Sequence, residues 1–190
     1  MFDEARVACE AECAKHQKSF PDVQHLSAKE LQEMLHNSAL SAIQIVDVRS
    51  EGERNVSMLP GAICVNELRW PPEGGCATVF YCTVGYRSSL EARRFATSAP
   101  RDSVIYSMAG ILDWAHQGGE LVDASGAKVT RLHAFGSKWA AMAPTQYEVE
   151  TFDARSCSFL RAVLRVAWLI GTWPIVGLQK RSRTGKAHEK

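Results

Sequence analysis

Val79-Phe80-Tyr81-Cys82-Thr83-Val84-Gly85-Tyr86-Arg87-Ser88-Ser89-Leu90 runs from an apolar segment through a cysteine and a glycine to an arginine. Val79, Phe80 and Tyr81 suit a strand, because β-branched and aromatic side chains fit a pleated, buried surface. Leu90, Ala92, Phe95 and Ala96 recur at helical spacing, with Arg93 and Arg94 outside the stripe. Between the two, Gly85 supplies the backbone freedom of a tight loop. Cys82 is thereby predicted at the carboxyl end of a strand, facing a helix N-terminus. In open α/β sheets ligands bind in that crevice, since unpaired helix N–H groups and loop amides converge on it. Loop amides, helix N-terminus and Arg87 all stabilise an anion, which makes Cys82 a candidate nucleophile and Arg87 a candidate contact for an anionic substrate. The plainer alternative is a buried strand-end cysteine followed by a solvated arginine.

The segments on either side extend this pattern. Ser27-Ala28-Lys29-Glu30 is a capping box that opens a helix with Leu31, Met34 and Leu35 on its apolar face. Ile43-Gln44-Ile45-Val46-Asp47-Val48-Arg49 reads as a buried parallel strand that ends in a charged pair. Asp47 and Arg49 are expected at its carboxyl edge, chiefly as a structural ion pair. Glu51 to Arg54 fits one helical turn, and Leu59-Pro60-Gly61-Ala62-Ile63 is a turn feeding a short strand. Residues 66–75 are polar and broken by Pro71, Pro72, Gly74 and Gly75, which marks a loop. Beyond Pro100, Ser103-Val104-Ile105-Tyr106 reads as a strand, and a helix from Gly110 stops at Gly118-Gly119. Strands alternating with helices imply an α/β fold, an open parallel sheet flanked by helices on both sides.

With 190 residues, 46% of them hydrophobic, the chain can bury one substantial core. Its 22 basic residues almost cancel 21 acidic ones, so no basic field recruits nucleic acid. The six cysteines form no CxxC pair, and the N-terminus has neither a basic nor an apolar leader region. Free thiols and a reducing, cytoplasmic setting are expected. Cys9, Cys13 and His16 share a face of a helix predicted over the first 20 or so residues, and without a fourth partner they read as a partly buried face rather than a metal site.

Three segments in order resemble the rhodanese (sulfurtransferase) family. Asp47-Val48-Arg49 with Glu53 and Leu59 to Ile63 looks like its first signature, and Cys82 through Arg87-Ser88 looks like its active-site loop. Met108-Ala109-Gly110-Ile111 with Trp114 and Gly118-Gly119 is similar to its closing signature. The resemblance implies that Cys82 accepts sulfane sulfur as a persulfide and passes it to a nucleophilic acceptor. Thr83, Val84, Gly85, Tyr86 and Arg87 would bind substrate, with Asp47 and Arg49 in support. Phosphatases of this fold have a loop one residue longer; the four residues Thr83 to Tyr86 favour sulfur transfer. Ser57-Met58 and Thr83 depart from the family's usual residues, so the donor is not legible, although a small anionic donor and a thiol or cyanide-like acceptor are implied. No cofactor or metal is implied.

The sequence therefore divides into a helical segment at 1–25, a rhodanese-like domain at 26–140, a linker at 141–158 opened by Ala143-Pro144-Thr145, an apolar helical segment at 159–179 and a basic tail at 180–190. His133 is expected to be structural. The stretch Phe159 to Leu178 carries Trp168, Leu169, Ile170, Trp173 and Ile175, with Arg161 and Arg165 one helical turn apart. It either packs on the chain's own domain or another subunit, lies in a membrane interface with residues up to 186 supplying positive charge, or spans the bilayer. The rival to an enzyme is a rhodanese-like binding or regulatory module with little turnover, held at a membrane or partner by this segment.

Overall fold

The computed structural model describes residues 3–37, 43–71 and 76–152. A long helix α1 (Glu4–Ser19) is capped by the Asp3 carboxylate, which accepts from the Arg6 amide at 3.2 Å. Strand β1 (Gln24–Leu26) and helix α2 (Ala28–Asn37) follow. The predicted capping box at α2 is formed, with the Ser27 amide donating to Glu30 at 2.7 Å and the Glu30 amide to Ser27 Oγ at 3.2 Å. Next come β2 (Ile43–Asp47), the single turn α3 (Glu51–Arg54) and β3 (Ile63–Cys64). The central strand β4 (Ala77–Tyr81) leads into α4 (Tyr86–Ala96), then β5 (Ile105–Met108) and α5 (Ile111–His116). A small second sheet, β6 (Arg131–His133) and β7 (Glu148–Glu150), encloses the turn α6 (Ser137–Ala140).

The main sheet is wholly parallel, in the order β1-β5-β4-β2-β3. Alternation along β4 divides the core. Val79 and Tyr81 face a cluster that includes Cys9, Leu31, Met108 and Leu112, while Phe80 faces Val46, Ala92 and Ile105. Phe80 also stacks on Phe95 of α4 at 5.1 Å between ring centres. Helices thus cover both faces, as the apolar runs of β2 and β4 require. Burying a side chain such as Phe80 stabilises the fold by roughly 1.5–3 kcal/mol.

Several elements depart from the sequence reading. The short, half-polar Gln24–Leu26 is an edge strand paired to β5, so the sheet begins ahead of the capping box. β5 starts two residues later than its β-branched run suggests. Glu148–Glu150, inside the stretch read as linker, pairs in parallel with Arg131–His133, and the residues between them, α6 included, make the crossover that a parallel pair requires. The compact unit consequently extends through Phe152 and takes in α1, which packs on α4 and α5. In the interval after β3 one 3-10 turn, Val65–Glu67, is formed. Among the described residues no helix is long and apolar enough to cross a membrane. The expectations for the apolar segment and the basic tail lie outside the described residues.

Candidate active site

Cys82 directly follows β4, and the loop Thr83-Val84-Gly85 carries the chain to Tyr86, the first residue of α4. The Gly85 amide donates to Cys82 Sγ at 3.2 Å, and Ser88 Oγ lies 3.7 Å from the same sulfur. Gly85 takes a φ of 94°, a left-handed conformation that any side chain would strain. α5 holds the loop from behind. The Ile111 amide donates to the Cys82 carbonyl at 2.8 Å, and the Leu112 amide to the Thr83 carbonyl at 3.3 Å. This close approach needs Gly110, where an added Cβ would sit 2.4 Å from the Thr83 carbonyl oxygen. The predicted strand, loop and helix are therefore assembled around the sulfur as the sequence suggests.

Asp47 and Arg49 form a fully buried ion pair at the end of β2, with Arg49 Nη2 2.7 Å from Asp47 Oδ2. Tyr81 donates its hydroxyl to Asp47 and accepts from the Leu59 amide at 3.1 Å. Burial and the neighbouring Asp47 push the Tyr81 phenol well above its ordinary value, so it remains a donor. Arg49 Nη2 also donates to the Ser57 carbonyl at 2.6 Å. These residues brace the β2 and β4 ends beneath the loop rather than reaching the sulfur.

Arg87 is not the solvated residue of the plainer alternative. Its guanidinium grips Glu53 of α3 through two hydrogen bonds, at 2.8 and 2.6 Å, and donates to Thr83 Oγ1 at 3.0 Å. The Glu53 side chain is 0% exposed and that of Arg87 18%. Burial opposes ionisation of Glu53, but Arg87, Arg49 and the Ser50 backbone outweigh it and hold the carboxyl at about 2. Phe135 lies against the outer face of this pair, its ring centre 5.0 Å from the Arg87 guanidinium carbon.

α1 packs beside the start of α4. His16 and Phe20 meet the Tyr86 ring at 5.3 and 5.5 Å, and Glu12 bridges to Lys138 of α6 at 2.7 Å. Cys9 and Cys13 are buried, and Cys13 donates to the Ala109 carbonyl at 3.3 Å. Among the described residues no group of three His, Cys, Asp or Glu side chains is placed to hold a metal. The loop is enclosed as a result, with Cys82 1%, Thr83 3% and Val84 4% exposed.

Sequence reasoning reads one contributor in part and misses another. Glu53 is legible as the last residue of the Ser50-Glu51-Gly52-Glu53 capping box, yet nothing local says that its carboxylate also meets Arg87. Phe135 carries no local signal at all. His133 is buried and meets the Phe152 ring in a tilted contact at 4.4 Å, and burial lowers its pKa and keeps the imidazole neutral.

Residues 27–117 match the family model of the Rhodanese-like domain. No curated protein matches the chain. Among solved structures it is similar to a thiosulfate sulfurtransferase from Pseudomonas aeruginosa, with 20% identity and a TM-score of 0.49 over 72% of this chain and 26% of that one. It therefore spans about a quarter of that relative's length. A polysulfide-sulfur transferase homodimer from Wolinella succinogenes aligns with 19% identity and a TM-score of 0.44, over 59% of this chain and 87% of that one. A Rhodopseudomonas palustris protein of unknown function, described as a possible tyrosine phosphatase, aligns with 22% identity and a TM-score of 0.44, over 60% and 93%. With its three signatures in order on a five-stranded parallel sheet, the chain carries a rhodanese-like domain over residues 27–117.

Proposed function

We propose that the chain is a sulfurtransferase in which Cys82 takes sulfane sulfur from a donor as a persulfide and passes it to a thiol or cyanide acceptor. The observation that carries this reading is the Gly85 amide aimed at Cys82 Sγ from 3.2 Å, at the N-terminus of an 11-residue helix. That geometry favours negative charge on the sulfur, and on a second sulfur attached to it. Thr83, Val84, Gly85 and Tyr86 line the loop around the transferred atom, Arg87 fixes the far side of the loop through Glu53, and Asp47 and Arg49 support it from below. The five described cysteines are all free thiols, which suits work in the reducing cytoplasm.

Intact-mass measurement after incubation with sulfane donors tests the proposal. The unsubstituted protein should gain one cyanide-removable sulfur and Cys82→Ser none; equal gain by both would move the chemistry to another cysteine. A second reading, a binding module with little turnover, draws on the enclosure of the loop, where Cys82 is 1% exposed. Absence of loading from every donor, with the fold intact, would favour it.

A further inference from the structure

Arg87 is the one charged residue in the loop between Cys82 and Ser88, and its charge is already matched. Both terminal nitrogens of its guanidinium meet the two oxygens of Glu53, a carboxylate with no exposure to solvent. A small dianion approaching Arg87 meets this carboxylate at comparable distance, in surroundings where water screens little. The other loop side chains, Thr83, Val84 and Tyr86, add no positive charge. Phe135 over Arg87 and the cluster of His16, Phe20 and Tyr86 add aromatic rings beside the loop, and the cations next to that cluster, Arg93 and Lys138, are paired with Asp22 and Glu12. What remains for an anion is the Gly85 amide at Cys82 Sγ, suited to one negative charge on the transferred sulfur.

We propose that Glu53 is a specificity-determining residue, which neutralises Arg87 and turns the Cys82 site away from small dianions such as thiosulfate and towards persulfides of small thiols that carry no negative charge. The proposal rests on the persulfide reading above. In the step concerned, the Cys82 thiolate attacks the outer sulfur of a protonated persulfide. A new S–S bond forms as the old one breaks, its electron pair leaves on the inner sulfur as a thiolate, and the proton stays with the transferred sulfur. With thiosulfate the same attack would expel sulfite, whose two negative charges have no unmatched cation in the loop to receive them.

The test compares thiosulfate with cysteamine hydropersulfide, whose reacting form, protonated at the outer sulfur, carries no negative charge, as donors to the unsubstituted protein, Glu53→Gln and Glu53→Gln/Arg87→Gln. Gln can accept the same Ser50 hydrogen bonds, so the capping box survives in the variant. Glu53→Gln should raise kcat/KM for thiosulfate by roughly tenfold or more relative to the persulfide, and adding Arg87→Gln should abolish the gain. Calorimetric binding of thiosulfate should tighten by a similar factor from Cys82→Ser to Cys82→Ser/Glu53→Gln. In the unsubstituted protein, sulfate should leave alkylation of Cys82 by uncharged iodoacetamide unchanged. An unaltered donor ratio in Glu53→Gln, or protection by sulfate, overturns the role given to Glu53 while leaving persulfide chemistry intact. Failure of both donors to load Cys82 in every variant, with the calorimetric gain present, overturns the persulfide reading and leaves Glu53 as the group that excludes anions.

Discussion

At the scale of single residues, the Glu53–Arg87 pair ties stability to the loop. Removing one partner of a buried ion pair leaves the other charge without compensation, at a cost of about 3–5 kcal/mol. Arg87→Ala should therefore destabilise the fold by an amount of this order in chemical denaturation at neutral pH. The pH dependence has a definite sign. With Arg87 present, the carboxyl of Glu53 sits at about 2, below its usual 4.5, so its contribution is complete above pH 4.5 and is lost as pH falls towards 2. The deficit of Arg87→Ala should accordingly be largest above about pH 5 and shrink on acidification. A variant as stable as the parent at neutral pH would mean that the pair contributes no net stability.

Among the secondary-structure elements, the loop depends on how tightly α5 backs it. Gly110 has a φ of 130°, and a Cβ there would overlap the Thr83 carbonyl and the Val84 amide nitrogen. Both groups are backbone, so neither can swing aside as a flexible side chain would. Gly110→Ala should lower the unfolding midpoint and slow alkylation or sulfur loading at Cys82 together, because the same displacement disturbs the loop and its support. Unchanged reactivity with lowered stability would separate the loop from α5. This constraint is half legible in the sequence. Met108-Ala109-Gly110-Ile111 marks a strand passing into a helix, whereas the partner of Gly110 lies 27 residues upstream, in a loop that the fold alone brings near.

For the whole molecule, the compact unit ends at Phe152, and the sequence beyond it, with Trp168, Trp173 and a run of basic residues, calls for a functional assignment of its own. We propose contact of residues 159–186 with a membrane surface. The full-length protein should then float with vesicles rich in anionic lipid, and binding should weaken as salt rises from low to physiological strength, because Lys180, Arg181, Arg183 and Lys186 would supply the electrostatic part. Full-length protein that ignores such vesicles at low salt would assign the segment to protein contacts instead.

The sequence by itself determined the central strand, the loop and the helix behind Cys82, because each rests on spacing over a few neighbours: alternation in β4, the glycine at the turn, the apolar stripe of α4. It also placed Asp47 beside Arg49, since a single residue separates them and their ion pair closes locally. Only the tertiary structure decided what Arg87 does. Its partner Glu53 lies 34 residues away and meets it because β2 and β4 are parallel neighbours, so the elements following their carboxyl ends emerge on one edge of the sheet. Phe135, further along the chain, reaches the same edge from the region that forms the small second sheet. Periodicity records which face of an element is buried; the charge left over at a site depends on which distant side chains the packing brings to it.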